Sequence, residues 1–252
     1  MNERSGLPPT IGRLPRVVVV IGHYGVGKTN FSLNLAYDLA EAGRKATLVD
    51  LDIVNPYFRS SDHAKELEAA GVALLCPQSA GTALDAPMLS VAIDSAVEEA
   101  QGSEGAVCII DAGGDDVGAT ALGRYAKTIL KAPYAMLYVV NALREQTLQP
   151  EEAVGLLPEM EAASHLRATH VVNNTHLMDA TTPEVIVHGV EFAQCVSVAA
   201  GLPLLCTAIP KDAEVGGQGT TFAQLEQTVK SGALACENPY FVRIYVKKPW
   251  DA

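Results

Sequence analysis

Gly22-His-Tyr-Gly-Val-Gly-Lys-Thr29 places two glycines, a lysine and a hydroxyl at the spacing G-x-x-x-x-G-K-T. Glycines let successive backbone N–H groups turn inward on an anion. A helix that starts at the lysine adds its positive end. Lys28 is then set to reach the β- and γ-phosphates of a nucleotide, and the Thr29 hydroxyl to bind Mg²⁺. With glycine near 7% of residues, a chance match is on the order of one window in ten thousand or rarer. The expected phosphate-binding run is Gly22, His23, Tyr24, Gly25, Val26, Gly27, Lys28, Thr29 and Asn30. A structural turn without ligand is the alternative.

Such a loop also needs an acid at the end of a neighbouring strand. "AVCIIDAGGDD" supplies Asp111 after a buried apolar run, followed by Gly113-Gly114, and "TLVDLDIVNPYFR" supplies Asp50 and Asp52. A lone acid at a strand end caps a loop. Two acidic elements at the sheet end that carries a phosphate loop are read as magnesium-shell or water-orienting groups, with Thr29, Asp52 and Asp111 as metal ligands. Tyr57, Phe58 and Arg59 beside Asp52 suit either a partner contact that changes with nucleotide or simple packing of their own loop.

The elements that must position these residues alternate. Val17–Ile21, Ala46–Val49, Val72–Cys76, Ala106–Ile110, Tyr134–Val140, His170–Asn173 and Leu204–Ala208 read as strands, and the tail "NPYFVRIYVKKPWDA" as an added edge strand. Between them Phe31, Leu35, Leu39 and Ala42 make a helical stripe closed by Gly43. Ile186, Val190, Ala193, Val196 and Ala200 make another, closed by Gly201. Pro150-Glu151-Glu152 reads as a helix start, with Pro158 ending or kinking that helix early. Continuous apolar strands in β–α alternation predict an α/β fold: one P-loop NTPase domain with a mostly parallel central sheet and helices on both faces. Residues 16–252 form that domain, and residues 1–15 a flexible lead without a signal-peptide core.

The chain has 252 residues, 48% hydrophobic, and a formal net charge of −11. Scattered Lys and Arg on so acidic a chain argue against nucleic-acid binding. No apolar run is long enough to cross a membrane. The five cysteines form no CxxC pair, and most sit in apolar runs and read as core fillers in a reducing, cytoplasmic setting.

With the phosphate loop, Asp50-x-Asp52, Asp111 and "TAIPKDAEV", the chain resembles the MinD/ParA group of SIMIBI-class P-loop ATPases, from about Arg16 to about Val215. The resemblance implies that Asp52 positions the attacking water with support from Asp50. It makes Asp111 the Walker B acid and Gly113-Gly114 the start of switch II. It also implies that Asn173 reads the adenine edge and that Pro210 and Asp212 close over the base. The GTPase pattern N-K-x-D is absent, since the position reads Asn173-Asn174-Thr175-His176, which favours ATP over GTP. In the family a signature lysine stands where this chain has His23 and crosses a dimer interface to the partner's phosphates. Here Arg59, Lys127 or Arg124 are candidates to substitute for it, and His23 is either a replacement or a plain loop residue.

The implied function is a Mg²⁺-dependent ATPase, slow without a partner, that switches a partner enzyme through Tyr57, Phe58, Arg59 and switch II, with a nucleotide-linked homodimer as a further possibility. The alternatives are an ATP-dependent small-molecule ligase resembling dethiobiotin synthetase and a ParA- or MinD-like positioning ATPase.

Overall fold

In the computed structural model, residues 7–52, 60–77, 85–114, 116–211, 222–234 and 236–246 are described. Among the described residues, eight strands lie in one sheet of order β3-β2-β4-β1-β5-β6-β7-β8. They are β1 Val17–Ile21, β2 Lys45–Asp50, β3 Ala73–Leu75, β4 Ala106–Asp111, β5 Tyr134–Val140, β6 His170–Asn173, β7 Leu204–Pro210 and β8 Pro239–Val242. Every pairing is parallel. The helices are α1 Pro9–Gly12, α2 Lys28–Glu41, α3 Ala64–Ala69, α4 Asp85–Gly102, α5 Asp116–Gly123, α6 Ala126–Ile129, α7 Pro150–Ser164, α8 Pro183–Ala200 and α9 Phe222–Lys230.

β1 shows why the strands read so clearly. Its five residues are β-branched and all buried. Successive side chains point to opposite faces, so Val17, Val19 and Ile21 join one core with Ile93 and Val97 of α4 and Phe192 of α8. Val18 and Val20 join the other core, with Phe31 and Leu35 of α2. A sheet covered on both faces leaves ligands the crevice beyond the carboxyl ends of its strands. The 22–29 loop leaves β1 at that end.

The helix borders follow local chemistry. α2 ends before Gly43, at φ +86°. α8 starts with Pro183 behind the Thr182 hydroxyl, which accepts the Val185 N–H at 3.4 Å, and stops at Gly201 in the left-handed region. α7 begins at Pro150 with a capping box between Gln149 and Glu152. Pro158 does not end α7, which continues to Ser164. Pro158 itself is exposed on the helix surface.

Residues 7–15 are more ordered than their composition suggests. Residues 9–12 form α1, and Ile11 and Leu14 are buried in the α2-side core. Cys108 and Cys206 are buried, but Cys195 is exposed on α8. None of the described helices is long and apolar enough to cross a membrane.

Candidate functional site

The loop between β1 and α2 needs glycine for two separate reasons. Gly22, Gly25 and Gly27 have φ of +150°, +74° and +91°, which side chains rarely adopt. Two of them are also closely approached. A Cβ on Gly22 would lie 2.3 Å from the Val139 carbonyl oxygen, and one on Gly27 2.3 Å from Asn174 Nδ2. Gly27 caps α2 without a side-chain hydrogen bond, so the first N–H groups of α2 keep their capacity for an anion.

Lys28 and Thr29 open α2, both buried. Lys28 Nζ donates to the His23 carbonyl at 3.1 Å, across its own loop. Thr29 Oγ1 donates to Asp111 Oδ2 at 2.7 Å. Asp111 is fully buried at the end of β4, and its Oδ1 has no hydrogen-bond partner. Burial pushes the Asp111 carboxyl well up, and the neighbouring Asp50 charge adds to this, while Lys28 and the Thr29 hydrogen bond pull it down.

Asp50 lies directly opposite Asp111 in the β2–β4 register. Its two oxygens accept the backbone N–H groups of Asp52 and Ser60, each at 3.0 Å. One carboxylate therefore ties together the two flanks of the segment 53–59. Burial raises its pKa and these two hydrogen bonds lower it. Asp52 is half-buried at the head of that segment, close enough for its charge to act on both Asp50 and Asp111.

The end of β6 differs from the sequence reading by one residue. Asn173 is fully buried, its Nδ2 donating to Thr207 Oγ1 at 3.3 Å and its Oδ1 accepting the Thr175 N–H at 3.1 Å. One polar atom thus ties β6 to β7 and the other the turn that follows β6. Asn174, which the sequence reading passed over, donates to the Val26 carbonyl of the loop at 2.7 Å and keeps a buried, unpartnered Oδ1. Its signal in the sequence was the doubled asparagine. His176 is buried, with Nδ1 accepting the Met178 N–H at 3.3 Å and Nε2 unpartnered. Burial, and secondarily Arg144, lowers its pKa from 6.5 to about 4.

Asn30 also turns away from the expected phosphate role. Its Nδ2 donates to the Arg243 carbonyl at 3.0 Å and its Oδ1 accepts the Tyr245 N–H at 2.8 Å. Its side chain therefore fastens the chain beyond β8. Pro210 closes β7, buried, and Lys211 N–H donates to Val242 at 2.6 Å. His23 is half-buried with Nδ1 3.3 Å from the Tyr24 carbonyl, and Tyr24 is 53% exposed. Tyr57, Phe58, Arg59 and Asp212 lie outside the described residues.

Arg124 and Lys127 stand at the wrong end of the sheet to substitute for a lysine at position 23. A Cβ on Gly123 would lie 2.7 Å from the Ala163 carbonyl, at the far end of α7. Gln101 binds the carbonyls of Thr128 and Ile129. Its own carbonyl accepts from Arg16, just before β1.

The sequence profile of the CobQ/CobB/MinD/ParA nucleotide binding domain matches residues 17–174. The chain belongs to this family. The matched span holds the loop, Asp50, Asp52, Asp111 and Asn174, so the crevice lies within the nucleotide-binding domain that the family shares.

Solved structures agree on the fold, an α/β domain of the P-loop type. FtsY from Mycoplasma mycoides is 16% identical at a TM-score of 0.52, over 78% of this chain and 60% of that one. The signal recognition particle 54 kDa protein from Aeropyrum pernix K1, in complex with GDP, is 18% identical at 0.54, over 90% and 48%. FtsY from Elizabethkingia anophelis, in complex with GDP, is 21% identical at 0.51, over 77% and 57%. The chain thus spans between about half and three-fifths of the length of these proteins. A comparison with curated proteins finds no match.

The site fits a magnesium nucleotide on its own chemistry. Asp111 Oδ1 is a buried acceptor without a donor, beside a threonine hydroxyl and a buried lysine. Among the described residues no three His, Cys, Asp or Glu side chains converge on a metal by themselves. Mg²⁺ suits such a place, since it takes one or two protein groups and completes its shell with phosphates and waters.

Proposed function

We propose that the protein is a Mg²⁺-dependent ATPase that works as a nucleotide switch on a partner enzyme. The observation that carries the reading is the Thr29–Asp111 hydrogen bond at the mouth of the glycine loop, with Lys28 buried beside it and one Asp111 oxygen left without a donor. Thr29 with Asp111 and Asp52 would hold Mg²⁺, which neutralises phosphate charge when bound. Lys28 and the loop N–H groups bind the β- and γ-phosphates. Asp52 orients the attacking water. Asp50 positions Asp52 by holding its N–H.

ATP is the nucleotide because Asn174-Thr175-His176-Leu177 carries no carboxylate to accept the N–H donors of guanine. Asn174, with its unpartnered Oδ1, has the amide that suits the adenine amino group. A partner contact is supported by exposed Tyr24 at the tip of the loop.

Lys28→Ala tests the reading. Charge-assisted contacts contribute roughly 1.5–3 kcal/mol each, so MgATP affinity measured by calorimetry falls about tenfold or more. Unchanged binding by a folded Lys28→Ala protein refutes a phosphate-binding role for the loop. GTP binding equal to or tighter than ATP in direct competition refutes the base assignment.

A further inference from the structure

An open cavity of about 720 Å³ lies beside the loop. His23 and Gly114 are in its wall, and both touch the Lys28 ammonium. The His23 carbonyl accepts from Nζ at 3.1 Å, and a Cβ on Gly114 would lie 2.7 Å from Nζ. The cavity therefore opens at the charge that meets the terminal phosphates.

Arg144 enters the same cavity from the connection between β5 and α7. Its backbone is fixed on both sides, the N–H donating to the Asn141 carbonyl at 3.3 Å and its carbonyl accepting the Thr147 N–H at 2.9 Å. Its side chain runs along the loop, so that a Cβ on Gly25 would lie 3.9 Å from both Cδ and Nε. Glu145 and Glu159 also line the cavity, yet among the described residues Arg144 forms no ion pair with a carboxylate. A guanidinium is charged at any working pH and presents a planar fork matched to phosphate oxygens. His23 does not compete for that place, because its Nδ1 is turned back on the Tyr24 carbonyl at 3.3 Å.

We propose that Arg144 is a catalytic residue, delivered in cis from the β5–α7 connection to the γ-phosphoryl group of the bound nucleotide. This rests on the ATP-site reading above. In the step it serves, the water oxygen bonds to the γ-phosphorus as the bond to the β–γ bridging oxygen breaks. The bonding pair stays on the diphosphate, and the water's proton passes to a phosphate oxygen. The guanidinium compensates the charge on the γ oxygens while this happens.

The experiment compares wild type, Arg144→Ala, Arg144→Lys and Lys28→Ala for calorimetric binding of MgADP and of the non-hydrolysable analogue MgAMPPNP, and for single-turnover ATP hydrolysis. Arg144→Ala is expected to bind MgADP within about twofold of wild type but MgAMPPNP about tenfold more weakly, and to hydrolyse ATP on the order of a hundredfold or more slowly. Arg144→Lys recovers part of the analogue binding and little of the rate, because a point charge replaces a fork. Equal losses for MgADP and MgAMPPNP, or unchanged analogue affinity in Arg144→Ala, overturn the proposal. If Lys28→Ala then still loses both nucleotides, the ATP site stands without Arg144. If wild type binds neither nucleotide, both readings fall.

Discussion

His176 is kept neutral inside the protein, and this has a measurable sign. Its unfolded-state pKa of 6.5 falls to about 4 on burial near Arg144. Between those values the unfolded chain binds more protons than the folded one, so stability is intact above 6.5 and is lost as pH falls toward 4. From pH 7 to pH 5 this amounts to about 2 kcal/mol. Asp111 acts in the opposite direction, because its raised pKa makes the folded state take up a proton first. The comparison is therefore with His176→Gln. In urea unfolding the variant gains about 2 kcal/mol relative to wild type between pH 7 and pH 5, and parallel pH dependences contradict a buried neutral imidazole. At this scale the sequence leaves single positions undecided. Asn173 and Asn174 share type and loop, and only the parallel register, with Asn173 opposite Thr207, decides which amide is spent inside the sheet.

The strands and the two glycine-closed helices were legible because a sheet buried on both faces demands unbroken apolar runs, and Gly43 and Gly201 mark left-handed helix exits. What was hidden is non-local. Asn30 and Asn34 stand in the helix behind a phosphate loop, and nothing nearby in sequence shows that their amides belong to the chain's far end. Asn34 Oδ1 accepts the Arg243 N–H at 2.7 Å and its Nδ2 reaches the Arg243 carbonyl at 2.9 Å. Tyr37 stacks on Tyr245, with ring centroids 4.7 Å apart. Tyr240 donates to Asp38 at 2.7 Å. This clamp explains why the first turns of α2 are buried nearly all round. Asn34→Ala leaves the Arg243 N–H without its partner, while the Arg243 carbonyl keeps Asn30 Nδ2; the orphaned donor costs about 1–3 kcal/mol. Denaturant unfolding reads the loss, and limited proteolysis is expected to cut the C-terminal segment sooner than in wild type. A variant as stable as wild type removes the clamp from the account of α2.

For the whole molecule, the proposed switch sets an expectation for turnover. A cis arginine without a partner supports hydrolysis on the order of 10⁻² s⁻¹ or slower in related phosphoryl-transfer proteins. Steady-state ATPase of the protein alone is expected in that range. Asp52→Asn, which keeps the side-chain shape but orients water poorly, retains MgATP binding while turnover falls further. MgATP at about a hundred times its Kd stabilises either protein by ~2.7 kcal/mol, so a thermal shift checks binding independently of turnover. Brisk turnover by the protein alone that collapses in His23→Ala assigns the missing cation to His23, and turnover that starts only with a small carboxylate substrate favours the ligase alternative. The clamp on α2 bears on how the molecule is made. Asn34 and Arg243 are 209 residues apart. At about 5–20 residues per second, a ribosome needs roughly 10–40 s between them. For that interval the helix behind the phosphate loop has been synthesised but lacks the segment beyond β8 that covers it, so its asparagine amides stay hydrated. The helix behind the phosphate loop is therefore completed only when a segment made long after it has docked.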